Sequence, residues 1–203
     1  TFFGLALNRA SPFFSYEDIM TKPSSMTELE AVNVLLTTIG EAPVNTLAGN
    51  QVTDVSIAKQ ILNEVSREVQ SQGWHFNTED GVELSPNATN EIVVPADVAR
   101  IDTNDYNVVQ REGKLFNLVD RTFSFTGKVK ASIVYYQDFV ILPDTAKRYI
   151  TTRAARIYSD RMLNSENIHK MIARDEQKAF IDLKAFEGDT ADYNMMDSYA
   201  VAR

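Results

Sequence analysis

Residues 54–76, DVSIAKQILNEVSREVQSQGWHF, decide how the rest of the chain must be arranged. Val55, Ala58, Ile61, Leu62, Val65 and Val69 recur at steps of three and four, which places one apolar stripe along a helix. Gly73 supplies the permissive backbone needed where that helix stops, and Trp74, the only tryptophan, follows as a large anchor side chain. The spacing predicts the central helix of a bundle. The stretch holds no nucleophile, metal cluster or phosphate loop, so it points to assembly before chemistry.

Upstream, Thr27-Glu28-Leu29-Glu30 is a capping box, in which the threonine hydroxyl and the glutamate each satisfy a free amide at a helix start. Leu29, Val32, Leu35, Leu36 and Ile39 form the apolar stripe of that helix, and Gly40 with Pro43 ends it. Leu47 is read as a core plug from the polar loop 44–53, and Asp54 as the cap of the central helix. Downstream, the period changes to short β-branched or alternating runs at Val82 and Leu84, 92–94, 99–103, 107–110, 115–118 and 128–136. Turn signals as short as Glu112-Gly113 require mostly antiparallel pairing, and 108–116 reads as a hairpin.

From Asp144, read as a cap, helical spacing returns through Tyr149, Ile150, Ala154, Ile157 and Tyr158. Leu163-Asn164 interrupts it, and a last helix runs from Ser165 and Glu166 through Ile172, Ala179 and Leu183 to about Gly188. The expected fold class is α+β: a helical bundle formed by N- and C-terminal helices, with an inserted antiparallel β region. By residue number this gives an N-terminal extension over 1–25, the bundle over 26–78 and 143–190, the β insert over 79–142 and a tail over 191–203. Residues 1–19 lack the basic start and cleavage site of a secretory signal. With Met20 as a plausible natural start, they are read as an upstream extension, a non-native segment or an arm against a neighbouring subunit.

Composition limits the chemistry. The 203 residues carry 44% hydrophobic and 24% charged side chains, the balance of a globular protein with a real core. Apolar runs stay far below the ~20 residues of a membrane-spanning helix, so no membrane insertion is expected. With no cysteine there is no disulfide or thiolate site, and only His75 and His169 offer imidazole. A net charge of −8 argues against tight nucleic-acid binding, although an acidic surface would let DNA slide past. Dinucleotide, phosphate-loop, zinc-protease and nucleophile-elbow patterns do not occur, and no cofactor or metal is expected.

Three segments carry a family likeness: Ile39-Gly40-Glu41-Ala42-Pro43-Val44-Asn45-Thr46-Leu47, then Ile61-Leu62-Asn63 through Gln72-Gly73-Trp74-His75-Phe76-Asn77, and Tyr193-Asn194-Met195-Met196-Asp197. From Met26 to Arg203 the chain resembles the tail tubular protein A family of short-tailed bacteriophages. The resemblance implies a structural virion protein, a head-to-tail adaptor whose copies form a dodecameric ring. It further implies a portal above, a tail nozzle (tail tubular protein B) below, attached tail fibres, and DNA passing through the channel without specific binding. The implied location is the virion tail, with assembly in the host cytoplasm. No catalytic residues accompany this role.

Residue-level reading then offers subunit contacts. The polar face of the central helix, Glu64, Arg67, Glu68 and Gln72, is the first place to seek the next subunit. On the third helix, Lys147, Arg148, Arg153, Arg156 and Arg161 spread around the axis, which suits a solvated face or inter-subunit salt bridges at Arg148, Arg153 and Arg156 better than a DNA-binding stripe. His75 reads as a capping or packing residue, and His169 as part of a solvated face. The alternative function is hydrolysis of glycosides or polysaccharide by paired carboxylates, as a second activity on a structural protein. Its candidates are Glu79 with Asp80, Asp102 with Asp105, or Asp189 with Asp192 and Asp197, aided by Tyr106, Tyr135 and Tyr136.

Overall fold

A computed structural model describes residues 24–49 and 53–190. Among these residues four α-helices, α1 (Glu28–Thr38), α2 (Thr53–Gln70), α3 (Asp144–Leu163) and α4 (Glu166–Thr190), flank five strands between α2 and α3. The strands are β1 (Thr78–Leu84), β2 (Val98–Thr103), β3 (Val108–Arg111), β4 (Lys114–Asn117) and β5 (Val129–Tyr135). The fold class is α+β, as the periodicities require.

α2 buries the six apolar residues that its spacing singles out. At about 1.5–3 kcal/mol per fully buried Val, Leu or Ile side chain, that stripe is the largest local reason for the helix to dock. Its core includes Ala31, Val32, Leu35 and Leu36 of α1, Ile150, Ala154 and Tyr158 of α3, and Ala179 and Leu183 of α4. Leu47 packs on this core from the loop, as the sequence suggested. The capping box of α1 forms as read, with the Thr27 amide donating to Glu30 at 2.8 Å and the Glu30 amide donating to the threonine hydroxyl at 3.2 Å.

A second apolar core, built from Ile92, Val94, Val98, Ile101, Leu115, Phe125, Val129, Ala131 and Ile133, lies under the strands. β5 is the centre of a three-stranded antiparallel sheet in the order β1-β5-β2, with Ile101 opposite Ile133 and Thr78 opposite Val134. β3 and β4 form the expected hairpin. Glu112 and Gly113 both have positive φ, 52° and 69°, the geometry that lets a two-residue loop follow the strand twist. The two sheet edges are protected: β1 carries a register shift between Glu79 and Val82 around Gly81, and β2 another between Val98 and Arg100.

Several local expectations change. Residues 92–94 do not form a strand: Val93 makes an isolated bridge with Lys114, as the preceding Glu91 does with Ser124, because Pro95 ends the run before a ladder can grow. β1 is longer than the Val82–Leu84 signal, since pairing with β5 extends it through the polar residues from Thr78. Pro143, not Asp144, occupies the N-cap of α3, and Asp144 instead accepts a hydrogen bond from Ser25 Oγ at 2.6 Å. Asp54 lies inside the first turn of α2 rather than before it, where its charge still meets the positive helix end. α4 continues past Gly188 to Thr190, whose hydroxyl donates back to Phe186 O.

Candidate assembly surfaces

The α3 arginines are largely committed within the chain. Arg153 bridges two helices, with Nη2 at 2.6 Å from Glu68 of α2 and Nη1 at 3.1 Å from Glu176 of α4. Arg156 also grips Glu176 and lies 3.4 Å from Asp160, which in turn meets His169 Nδ1 at 3.0 Å. Arg148 pairs with Asp182, and Arg161 with Glu64, each at 3.4 Å. Of the seven residues expected at a subunit boundary, Glu64, Glu68, Arg148, Arg153 and Arg156 therefore have partners in their own chain. Arg67 and Gln72 are exposed and make no ion pair or side-chain hydrogen bond among the described residues.

The network is held by burial on one side. Glu176 stands on the inner row of α4 with Ile172, Ala179 and Leu183, and its side chain is 12% exposed. The Glu176 hydrogen bond holds the Arg156 pKa above its ordinary value. For Arg153 burial works against the charge, but Glu68, Tyr149 and Glu176 outweigh it and the net shift is also upward. Burial raises Tyr149 beside them. His169 is thus not simply a solvated residue, and Lys147 departs further from the surface reading. It is 1% exposed and donates from Nζ to Ser25 Oγ at 2.5 Å and Val140 O at 2.7 Å.

Where bundle meets sheet, a set of amides joins them. Gln70 and Asn77 are buried, and Asn77 Nδ2 donates to Gln70 O at 2.9 Å and to Tyr135 O at 2.8 Å. Trp74 is buried beside them, its indole donating to Val69 O at 2.7 Å and its ring stacked on Phe76, with Lys184 Nζ 4.8 Å above it. His75 itself is exposed; only its backbone amide is tied, to Glu187 at 2.5 Å. Sequence reasoning passed over Ser66, Gln70 and Glu176. The available signal was a polar residue on an otherwise apolar helical row.

Two adjoining hollows open at this junction. One, of about 620 Å³, is lined by Arg67 and Asn63 of α2 and by Asp97 and Asp138 opposite. The other, of about 470 Å³, is lined by Glu79, Asp97, Tyr135, Tyr136, Asp138 and Ile141. Burial raises the Tyr135 pKa, and the negative charges of Glu79 and Asp97 add to that. Of the carboxylate pairs read from the sequence, Glu79 lines this cleft and Asp80 does not. Asp102 and Asp105 share a shallow hollow of about 370 Å³ with Tyr106, though Asp102 is 3.2 Å from Arg100. Asp189 is exposed in the last turn of α4, and Asp192 and Asp197 lie outside the described residues.

Glu79, Asp97 and Asp138 are all exposed at this cleft. Among the described residues no three His, Asp or Glu side chains are grouped closely enough to hold a metal ion. Nor is any described helix long and apolar enough to cross a membrane. The arrangement offers charged and apolar surface for contact.

Comparison with known proteins agrees with such a role. The family model described as "Tail tubular protein" matches residues 29–193, spanning the bundle and the β insert together. A relative, Tail tubular protein A of Klebsiella phage KP34, is 30% identical over 136 residues, covering 66% of this chain and 72% of the relative.

Proposed function

Because the chain belongs to the tail tubular protein family and so is a structural component of a bacteriophage tail, we propose that it is the head-to-tail adaptor. In this reading copies of the chain form a ring, a dodecamer, between the portal and the tubular nozzle, with tail fibres attached and DNA passing through. Assembly takes place in the host cytoplasm before the subunit reaches the virion. The observation that carries the reading is the family match across residues 29–193, which includes both the bundle and the β insert. It is supported by the intrachain ion network, which stiffens α2, α3 and α4 as one unit. Arg67 and Gln72 remain for a neighbouring copy.

Light scattering of the purified chain, alone and with the portal ring, tests this. The expected result is a ring-sized species, formed either spontaneously or on the portal. A chain that stays monomeric and ignores the portal overturns the adaptor reading.

One observation favours a second activity, hydrolysis of bacterial surface polysaccharide. The junction cleft gathers Glu79, Asp97 and Asp138 with Tyr135 and Tyr136, carboxylates beside aromatic rings on which a sugar could stack. Release of reducing sugar from host capsule, lost in Glu79→Gln, Asp97→Asn or Asp138→Asn, would establish it. No release from any capsule or simple glucoside removes it.

A further inference from the structure

The outward row of α4 differs from the row that packs on α3. Met171, Arg174, Lys178 and Ile181 follow one another at steps of three, four and three, so they share one face, and all four are exposed. Met171 is 68% and Ile181 58% exposed, far more than burial in a single subunit would leave. Between these apolar ends, Arg174 and Lys178 stand four residues apart with like charge, an arrangement that disfavours an isolated helix. Neither makes an ion pair among the described residues; Lys170, one turn earlier, is neutralised by Glu166 at 2.6 Å. Asp175, one step round the helix, makes none either.

The junction cleft has the opposite character. Glu79, Asp97 and Asp138 are exposed and likewise unpaired among the described residues. Beside them Val140 and Ile141 are 67% and 66% exposed. Among the described residues, the one cation on the adjoining wall is Arg67 of α2. One surface is therefore apolar at its ends and basic in the middle, and the other is acidic with an apolar flank. Both belong to the same chain, on different elements, and neither satisfies the other within it.

We infer that the occupant of the cleft is a second copy of this chain, whose α4 row Met171–Ile181 docks there with Arg174 and Lys178 facing Asp97 and Asp138. Because the two surfaces differ, the contact is heterologous, and a docked pair still has one cleft free on one copy and one α4 row free on the other. Such a contact either closes into a ring or propagates. The inference rests on the ring reading and names the surfaces that would make it.

Charge exchange tests it with the full chain. The variants are Arg174→Glu with Lys178→Glu, and Asp97→Lys with Asp138→Lys, all at exposed positions where the fold, checked by circular dichroism, is expected to persist. Each variant alone should lose the assembled species under conditions in which the unaltered chain assembles. An equimolar mixture should regain it, because acidic α4 then meets basic cleft and the reverse. Single variants that assemble like the unaltered chain, or a mixture that stays unassembled, overturn the assignment while leaving the ring intact. An unaltered chain that assembles neither alone nor on the portal overturns the ring reading and this inference with it. Should Asp97→Lys with Asp138→Lys leave assembly untouched but abolish release of reducing sugar, the cleft belongs to a saccharide and the docking assignment fails.

Discussion

The side-chain amide of Gln70 holds the backbone of Gln137 at both polar groups, accepting from its N–H at 2.7 Å and donating to its carbonyl at 3.1 Å. Gln70 is 1% exposed, so a helix of the bundle clasps the segment leaving the sheet as a neighbouring strand would. Gln70→Leu keeps the bulk but strands the Gln137 amide and carbonyl. The expected loss is about 1–3 kcal/mol, read as a lower denaturant midpoint. A midpoint equal to that of the unaltered chain would mean water replaces the clasp at no cost.

Gly73 has φ 78°, and a Cβ there would lie 3.0 Å from Arg100 Nη2 and 3.1 Å from Val134 Cγ2. Gly73→Ala combines left-handed strain with contact against β2 and β5. It should destabilise by about 1–3 kcal/mol. Gly188→Ala is the control: the residue is helical, and nothing lies within 4 Å of its Cβ direction. That variant should gain up to about 1 kcal/mol. Thermal unfolding of both checks the opposite signs.

Glu176 is shared by Arg153 and Arg156, so Glu176→Gln leaves two half-buried guanidinium groups short of a partner. Glu68 and Asp160 remain to them, which keeps the cost below that of a fully buried pair, at about 1–3 kcal/mol. In a double-mutant cycle, Glu176→Gln with Arg156→Gln should cost less than the sum of the two single changes. Additive losses would show that the two residues are not coupled.

Acid should loosen the β insert. The hydrogen bond and charge of Lys128 hold Glu83 below the ordinary glutamate value of 4.5, and Lys114 does the same for Glu91. A depressed carboxyl contributes stability that is complete above 4.5 and is lost as pH falls through its folded value. Denaturant midpoints at about pH 6 and about pH 3 should therefore differ in the direction of weaker folding in acid. Glu83→Gln with Glu91→Gln should narrow that difference; an unchanged gap would place the acid sensitivity elsewhere.

How much of this was legible can be seen on single helices. The stripe of α2 and the box Thr27–Glu30 are local facts, because both depend on residues three or four apart on one helix. The hairpin at Glu112-Gly113 is local for the same reason. The partner of Arg153 is not: Glu68 and Glu176 are 85 and 23 residues away in sequence. Periodicity gives Arg153 a polar face but cannot say that two other helices already fill it. Lys147 shows the same limit in reverse, since an ammonium can be buried once Ser25, 122 residues distant, reaches its Nζ.

Helix periodicity, turn chemistry and the absence of cysteine thus determined the α+β class, the order of the elements and the closure of thiol chemistry, because each depends on residue type and short-range spacing alone. Family membership was likewise carried by runs such as Gly73-Trp74-His75-Phe76. Tertiary structure alone decided which charges are spent inside the subunit and which face outward. An ion pair depends on the distance between side chains brought together by packing two cores, and that distance is not written in the spacing of either partner.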